Sequence, residues 1–236
     1  MKKYAPFRFK EFSVHHENSA MKVGTDGVLL GSWIQANNPM NILDIGTGTG
    51  LISLMMAQRF NQAIVVGVEP NDNAIVDAFK NVNDSAFKDR IDIVHGKIQN
   101  YTTEKRFDLI LSNPPFFQNA LNAEDSDRNQ ARQGVDLTPN ELLEISNELL
   151  IDNGFLSVII PFDHCRNYRS IAKKVGLSLS KMTSVRGTPS KPFKRALLTF
   201  SKKELPLEED VLTIERSRHV YTDEYIALTK PFYLAM

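Results

Sequence analysis

Apolar residues in this chain fall into two patterns. Short unbroken runs centre near Ile42, Val65, Ile93, Leu109 and Val158. A run of four to eight apolar residues bounded by turn residues predicts a strand buried on both faces. Between these runs, residues 51–60, 71–87 and 139–150 repeat apolar positions at helical spacing. Thr138-Pro139 opens the last of them with a capping hydroxyl and a proline at the first helical position. Strands alternating with helices predict right-handed crossovers and a mainly parallel sheet. The final two runs, residues 177–185 and 196–200, leave no room for a helix between them. They predict an antiparallel pair at one sheet edge. The expectation is an α/β fold with a mainly parallel seven-stranded sheet and an antiparallel edge strand. Residues 118–137 break the alternation with a polar segment. Such a length without periodicity marks a functional loop or disorder. Following Phe116 closely, it is placed to close over a substrate base, and Arg128 and Arg132 would share one face of a short helix.

The ends of the strand runs carry the candidate chemistry. Residues 41–45 lead into Gly46-Thr47-Gly48-Thr49-Gly50 and then into the helix at residues 51–60. A strand, a glycine-rich turn and a helix start let backbone approach a nucleotide-like ligand closely. Leu51 stands where the last glycine of a dinucleotide fingerprint would be, and no Gly-Lys-Ser/Thr follows, so neither phosphate-binding pattern is met. Glu69 ends the next run. An acid about 20 residues past the glycines, at a strand's carboxyl end, suits a ribose diol. Asn113-Pro114-Pro115-Phe116 follows residues 107–111. The Asn113 side-chain oxygen and the Pro114 carbonyl offer two acceptors to a planar exocyclic amine. The prolines stiffen the turn, and Phe116 can stack on the ring that bears the amine. Plainer readings are an exposed strand-end carboxylate and a Pro-Pro turn over a buried phenylalanine. The order of the motifs is more specific than any one alone.

Taken together, these residues resemble the class I S-adenosylmethionine-dependent methyltransferases. Residues 43–50 look like the cofactor loop, with Asp44, Gly46 and Gly48 at cofactor-binding positions. Glu69 resembles the ribose-binding acid, and Asn113, Pro114, Pro115 and Phe116 resemble the catalytic amino-methyltransferase signature. Phe7-Arg8-Phe9-Lys10-Glu11-Phe12 and residues 21–31 are similar to the N-terminal signature of the bacterial tRNA1(Val) adenine-N6 methyltransferases. Tyr221-Thr222-Asp223-Glu224-Tyr225 and Phe232-Tyr233-Leu234 resemble the end of that family. The resemblance covers nearly the whole chain. It implies a Rossmann-like class I methyltransferase as a single domain over residues 1–236. Within it are a family-specific segment (1–37), a catalytic core (38–203) and a C-terminal extension (204–236). It also implies S-adenosyl-L-methionine as cofactor, with Lys22, Thr25 and Asp26 at its methionine end, and adenine 37 of tRNA1(Val) as acceptor. One stretch departs from the wider pattern. After residues 91–94 many relatives place an acid on the cofactor's adenine amine, whereas His95-Gly96-Lys97-Ile98 stands here. The contact is expected to pass to backbone around Ile98 or Gln99.

Composition narrows the alternatives. At 236 residues, 42% hydrophobic and 24% charged, the chain suits one large globular domain. A single cysteine, Cys165, excludes an internal disulfide and suggests a reducing compartment. Beside His164 it reads as a bystander. No apolar leader and no run of ~18 apolar residues is present, so the expected location is the cytoplasm, away from membranes. The five histidines lack metal-ligand spacing with Cys165, and no G-x-S-x-G elbow occurs, so neither a metal nor hydrolase chemistry is expected. Net charge is zero, but it is segregated. Residues 181–203 hold seven Lys or Arg and no acid, residues 204–215 hold five acids and no base, and the first 22 residues hold five bases against two acids. Arg8, Lys10, Arg186, Lys191, Lys194 and Arg195 are therefore expected to bind RNA phosphates, with tRNA as partner and a monomer as the default state. The turn itself leaves three acceptors open: adenine N6, guanine N2 of ribosomal RNA, and a protein glutamine amide. A non-catalytic RNA-binding protein of the same fold is a fourth reading. The two terminal signatures favour adenine N6 in tRNA.

Overall fold

A computed structural model describes residues 5–19, 22–115 and 137–235. Phe116, Arg128, Arg132 and the expected closure over a base lie outside the described residues.

Seven strands form at the seven apolar runs: β3 (Asn41–Ile45), β4 (Ile64–Glu69), β5 (Ile91–His95), β6 (Phe107–Ser112), β7 (Leu150–Pro161), β8 (Ser178–Arg186) and β9 (Arg195–Ser201). An N-terminal hairpin, β1 (Phe7–Arg8) and β2 (Ser13–Val14), precedes them. An eighth sheet strand, β10 (Glu208–Thr213), comes from the acidic stretch, followed by the small hairpin β11 (Glu215–Ser217) and β12 (Val220–Tyr221). The sheet order is β10-β8-β9-β7-β6-β3-β4-β5. The central neighbours β7, β6, β3, β4 and β5 are parallel, β9 is antiparallel to both β7 and β8, and β10 is parallel to β8. The antiparallel strand is thus interior. The expected pair is present, but β8 presents an open edge, and β10 covers it.

Strand alternation divides the core. Ile42, Val65, Leu109, Leu111, Ile159 and Leu197 face one cluster. Leu43, Ile45, Val66, Val68, Ile110, Leu156, Val158 and Leu198 face the other. The first face is covered by α1 (Thr25–Trp33), α2 (Leu51–Arg59) and α3 (Asp72–Asn83), the second by α4 (Pro139–Leu149) and α5 (Cys165–Lys174). The capping box at Thr138 and Glu141 starts α4 where the sequence places it. Two arginines close helix ends. Arg59 donates to the carbonyls of Gly31, Ser32 and Ile34 at the carboxyl end of α1, and Arg90 donates to those of Ala57, Phe60 and Ala63 at and after the end of α2.

The two ends of the chain meet. The Lys10 amide donates to the Phe232 carbonyl at 2.8 Å, and Phe9 bridges Tyr233. Phe9 stacks between Phe12 and Tyr233, with centroids at 4.7 and 5.8 Å. A last helix, α6 (Asp223–Thr229), is capped by Thr222 and brings Tyr225 into the same core.

Candidate active site

The site forms at the carboxyl ends of β3, β4 and β6, where crossovers leave β3 in both directions. Open α/β sheets bind ligands at such a switch point. Residues 46–50 turn sharply there, with Gly46 and Gly48 at φ of 72° and 59°. A side chain in that left-handed region would be strained. Gly67 in β4 serves the same turn differently. A Cβ there would lie 3.0 Å from Thr47 Cγ2 and from Ser53 Oγ, so glycine lets the turn settle against β4 without displacing either side chain.

Asp44 locks the turn from below. It is 0% exposed, and its Oδ2 accepts from Thr47 Oγ1 at 2.6 Å and from Ser53 Oγ at 2.8 Å. Burial is the largest influence on its carboxyl and outweighs these hydrogen bonds, while nearby Glu69 adds in the same direction. The pKa is raised to about 6. Asp44 does not line the cavity at the strand ends. Its Oδ2 bonds lie inside the loop, and its Oδ1 is buried with no hydrogen-bond partner among the described residues.

Glu69 faces the cavity. Its Oε2 accepts from the Gly48 amide at 2.8 Å and its Oε1 from the Asn71 amide at 2.9 Å. A carboxylate has about four acceptor sites, so both oxygens keep room for a diol. The Gly46 amide is bonded to the Val68 carbonyl at 2.9 Å. The glycine loop therefore turns its amides to β4 and Glu69, and it offers a ligand close approach rather than donors. That fits a ligand group without phosphate.

The cavity holds about 290 Å³ and is lined by Gly46, Gly48, Glu69, Ile98, Asn113, Pro114 and Pro115. Five wall residues carried no signal in the sequence: Ser19, Pro70, Asn71, Ala74 and Leu137. Asn71 was legible only as a helix start; it caps α3 through its side chain. Lys97 and Gln99 also line the wall. Asn113 Oδ1 is buried and has no hydrogen-bond partner among the described residues. Ser112 beside it donates to the Ile45 carbonyl at 2.9 Å and ties β6 to β3.

Other expected residues lie apart from this cavity. Lys22 donates to the His16 and Ser19 carbonyls at 2.6 and 3.3 Å. Thr25 is exposed at the start of α1. Asp26 forms an ion pair with Arg195 at 2.8 Å, which joins one residue expected at the cofactor to one expected on RNA. Lys10 Nζ donates to the Lys230 carbonyl at 2.6 Å. Arg186 donates to Thr213 Oγ1 at 2.9 Å and to the Pro189 carbonyl at 3.0 Å, and it lies over the Phe193 ring. Arg8, Lys191 and Lys194 are exposed. Burial pushes the Cys165 thiol up to about 11, which suits a bystander rather than a nucleophile.

Residues 19–160 match the family described as Methyltransferase small domain. A tRNA1(Val) (adenine(37)-N6)-methyltransferase of Flavobacterium psychrophilum is 45% identical over 233 residues, covering 98% of this chain and 100% of that protein. One of the same name from Phocaeicola vulgatus is 47% identical over 230 residues, covering 98% of each. Among solved structures, a chain described as a predicted O-methyltransferase from Agrobacterium tumefaciens superposes with a TM-score of 0.69 at 19% identity, covering 88% of this chain and 96% of that one. The last likeness concerns the fold, which is the Rossmann-like class I methyltransferase fold.

Proposed function

From the premise that this chain belongs to the Methyltransferase small domain family and, by 45–47% identity along almost its whole length, to the tRNA1(Val) (adenine(37)-N6)-methyltransferases, we propose that it methylates N6 of adenine 37 in tRNA1(Val) with S-adenosyl-L-methionine as donor. The observation that carries this reading is the buried, unpartnered Asn113 Oδ1 in the same cavity as Glu69. A buried acceptor without a partner is costly, and a planar amine supplies the missing donor.

In this reading Glu69 holds the ribose diol on its free acceptor sites. Gly46 and Gly48 let the loop lie against the ligand, and Asn71 and Ile98 border the adenine end, where no acid stands. The bound donor supplies a methyl already activated on a sulfonium. The protein aligns the acceptor nitrogen and excludes water. The lone pair of an adenine amine is delocalised into its ring. Asn113 Oδ1 and the Pro114 carbonyl accept its two N–H bonds, orient it, and favour the positive charge that develops as the bond to carbon forms. The proton then leaves the nitrogen for solvent. Phe116, outside the described residues, is proposed to stack on the base.

The RNA side rests on charge. Lys191 and Lys194 are exposed on the connector between β8 and β9, and Arg8 is exposed on β1. We assign them to phosphates that hold the anticodon loop while one base is splayed out. Arg186, Lys10 and Arg195 keep a lesser part, since each already serves a protein partner. No helix among the described residues is long and apolar enough to cross a membrane. The proposed site of action is the cytoplasm. Nucleoside mass spectrometry of this tRNA, from cells with and without the gene, tests the assignment. Loss of N6-methyladenosine at position 37 is expected. A retained signal there, or loss of a methylguanosine instead, overturns it.

A further inference from the structure

Residues 15–19 run from the N-terminal hairpin to the cavity, and two buried polar residues of α3 hold the segment at both ends, at His15 and at Asn18 and Ser19. Asn81 is 1% exposed. Its Oδ1 accepts from the His15 amide at 2.6 Å, and its Nδ2 donates to the His15 carbonyl at 2.8 Å. The same Nδ2 donates to the Thr49 carbonyl of the glycine loop at 2.8 Å. One turn earlier lies Asp77, also 1% exposed. Its Oδ2 accepts from the amides of Asn18 and Ser19 at 2.9 and 2.8 Å, and its Oδ1 accepts from Asn18 Nδ2 at 2.8 Å. Ser19 is 5% exposed and lines the cavity beside Ala74, which shares the helix face of Asp77 and Asn81.

A carboxylate and an amide buried on a helix are costly unless their hydrogen bonds are made. Among the described residues, every side-chain hydrogen bond of this pair goes to residues 15–19 or to the glycine loop. The pair thus joins two parts of the cavity wall that are remote in sequence. We propose that Asp77 and Asn81 are positioning residues that fix residues 15–19 as a wall of the cofactor cavity, so that the cofactor site is completed by the N-terminal segment. Without Asp77, the amides of Asn18 and Ser19 lose their acceptor, and Ser19 is free to leave the wall. The inference rests on the reading of this cavity as the S-adenosylmethionine site.

The test uses the full chain and calorimetric titration with S-adenosylmethionine. Asp77→Ala and Asn81→Ala are each expected to raise Kd about tenfold or more, the scale of losing one or two buried hydrogen bonds. Turnover at saturating cofactor should stay within about threefold, so the loss appears in KM rather than kcat. Asp77→Asn keeps an acceptor for the two amides and should recover part of the affinity. Amide exchange at Asn18 and Ser19 should quicken in Asp77→Ala while the rest of α3 stays protected. Ser19→Phe provides a variant with both anchors intact; its ring intrudes on the cavity and should weaken binding while the Asn18 amide stays protected. Wild-type affinity in a folded Asp77→Ala, or in Ser19→Phe, overturns the wall. Failure of the unaltered protein to bind the cofactor overturns the cavity assignment and the wall with it.

Discussion

Asp44 and Glu69 are both buried acids at the ends of neighbouring strands, yet they face opposite tasks. Glu69 keeps acceptor sites toward the cavity, so Glu69→Ala should weaken S-adenosylmethionine binding by roughly 1.5–3 kcal/mol per lost charge-assisted bond, read by calorimetry. Unchanged affinity would remove the ribose role. Asp44 instead spends its bonds inside the loop and is desolvated, with its carboxyl raised to about 6. The folded state therefore holds a proton that the unfolded chain has released. Stability falls as pH climbs from the ordinary aspartate range to about 6, and this contribution is flat above that. Asp44→Asn keeps an acceptor for Thr47 and Ser53 and removes the titration. Urea unfolding across that window should show the wild type losing stability relative to the variant as pH rises, and parallel curves would refute the assignment. Asn113→Ala should lower turnover at least ~10²-fold with little change in cofactor affinity, the scale for one preorganised polar contact. Near-normal turnover would exclude amine positioning. The motif gave the place of Asp44 but not its direction. Strand alternation puts it on the α2 face with Ile42, and the partners that bury it, Thr47 and Ser53, are visible only once the turn has closed.

At the level of elements, long buried strands were legible and featureless helices were not. Seven of the nine residues of α1 are buried, so it has no polar face and no amphipathic period. In α5 a helical period is present, but its apolar stripe is narrow, since only Tyr168 and Ala172 are buried among charged neighbours. The acidic stretch carried no strand signal, because β10 is a strand with most of its residues exposed. Its position changes the meaning of the segregated charge. Lys181 lies opposite Glu208 in register, with Nζ 4.0 Å from the carboxylate, and Thr183 donates to Asp210. Part of the basic excess is thus met by the acids on the adjoining strand. Within this segment the exposed basic residues nearest the site are those at the tip of the β8–β9 connector, Lys191 and Lys194, which join Arg8 of β1 in the surface proposed to face an RNA. Replacing Lys191 and Lys194 together with alanine should flatten log K against log salt by about one to two units and leave turnover at saturating RNA intact. A wild-type slope would move the RNA surface elsewhere.

Across the whole molecule, the two family signatures at the ends of the sequence turn out to be one structure. Phe9, Phe12, Tyr225, Phe232 and Tyr233 pack together beside α1, and from their hairpin the chain runs directly into residues 15–19 at the cavity. Phe232 is among the largest fully buried side chains. Phe232→Ala should cost about 3–5 kcal/mol and lower the melting temperature by roughly 10 °C. A change of a degree or two in a thermal scan would show that the ends contribute little. The junction also sets an order in time. Lys10 and its partner Lys230 are 220 residues apart, so this contact closes a very long loop and is slow to form. The other side of the hairpin needs less chain, since Phe12 meets Phe87 and residues 15, 18 and 19 bond to α3. A purified chain truncated before residue 222 should therefore keep its core, with residues 7–10 more open to protease than in the full chain. Docking of residues 230–233, rather than folding of the core, is the event that shuts the outer side of the hairpin.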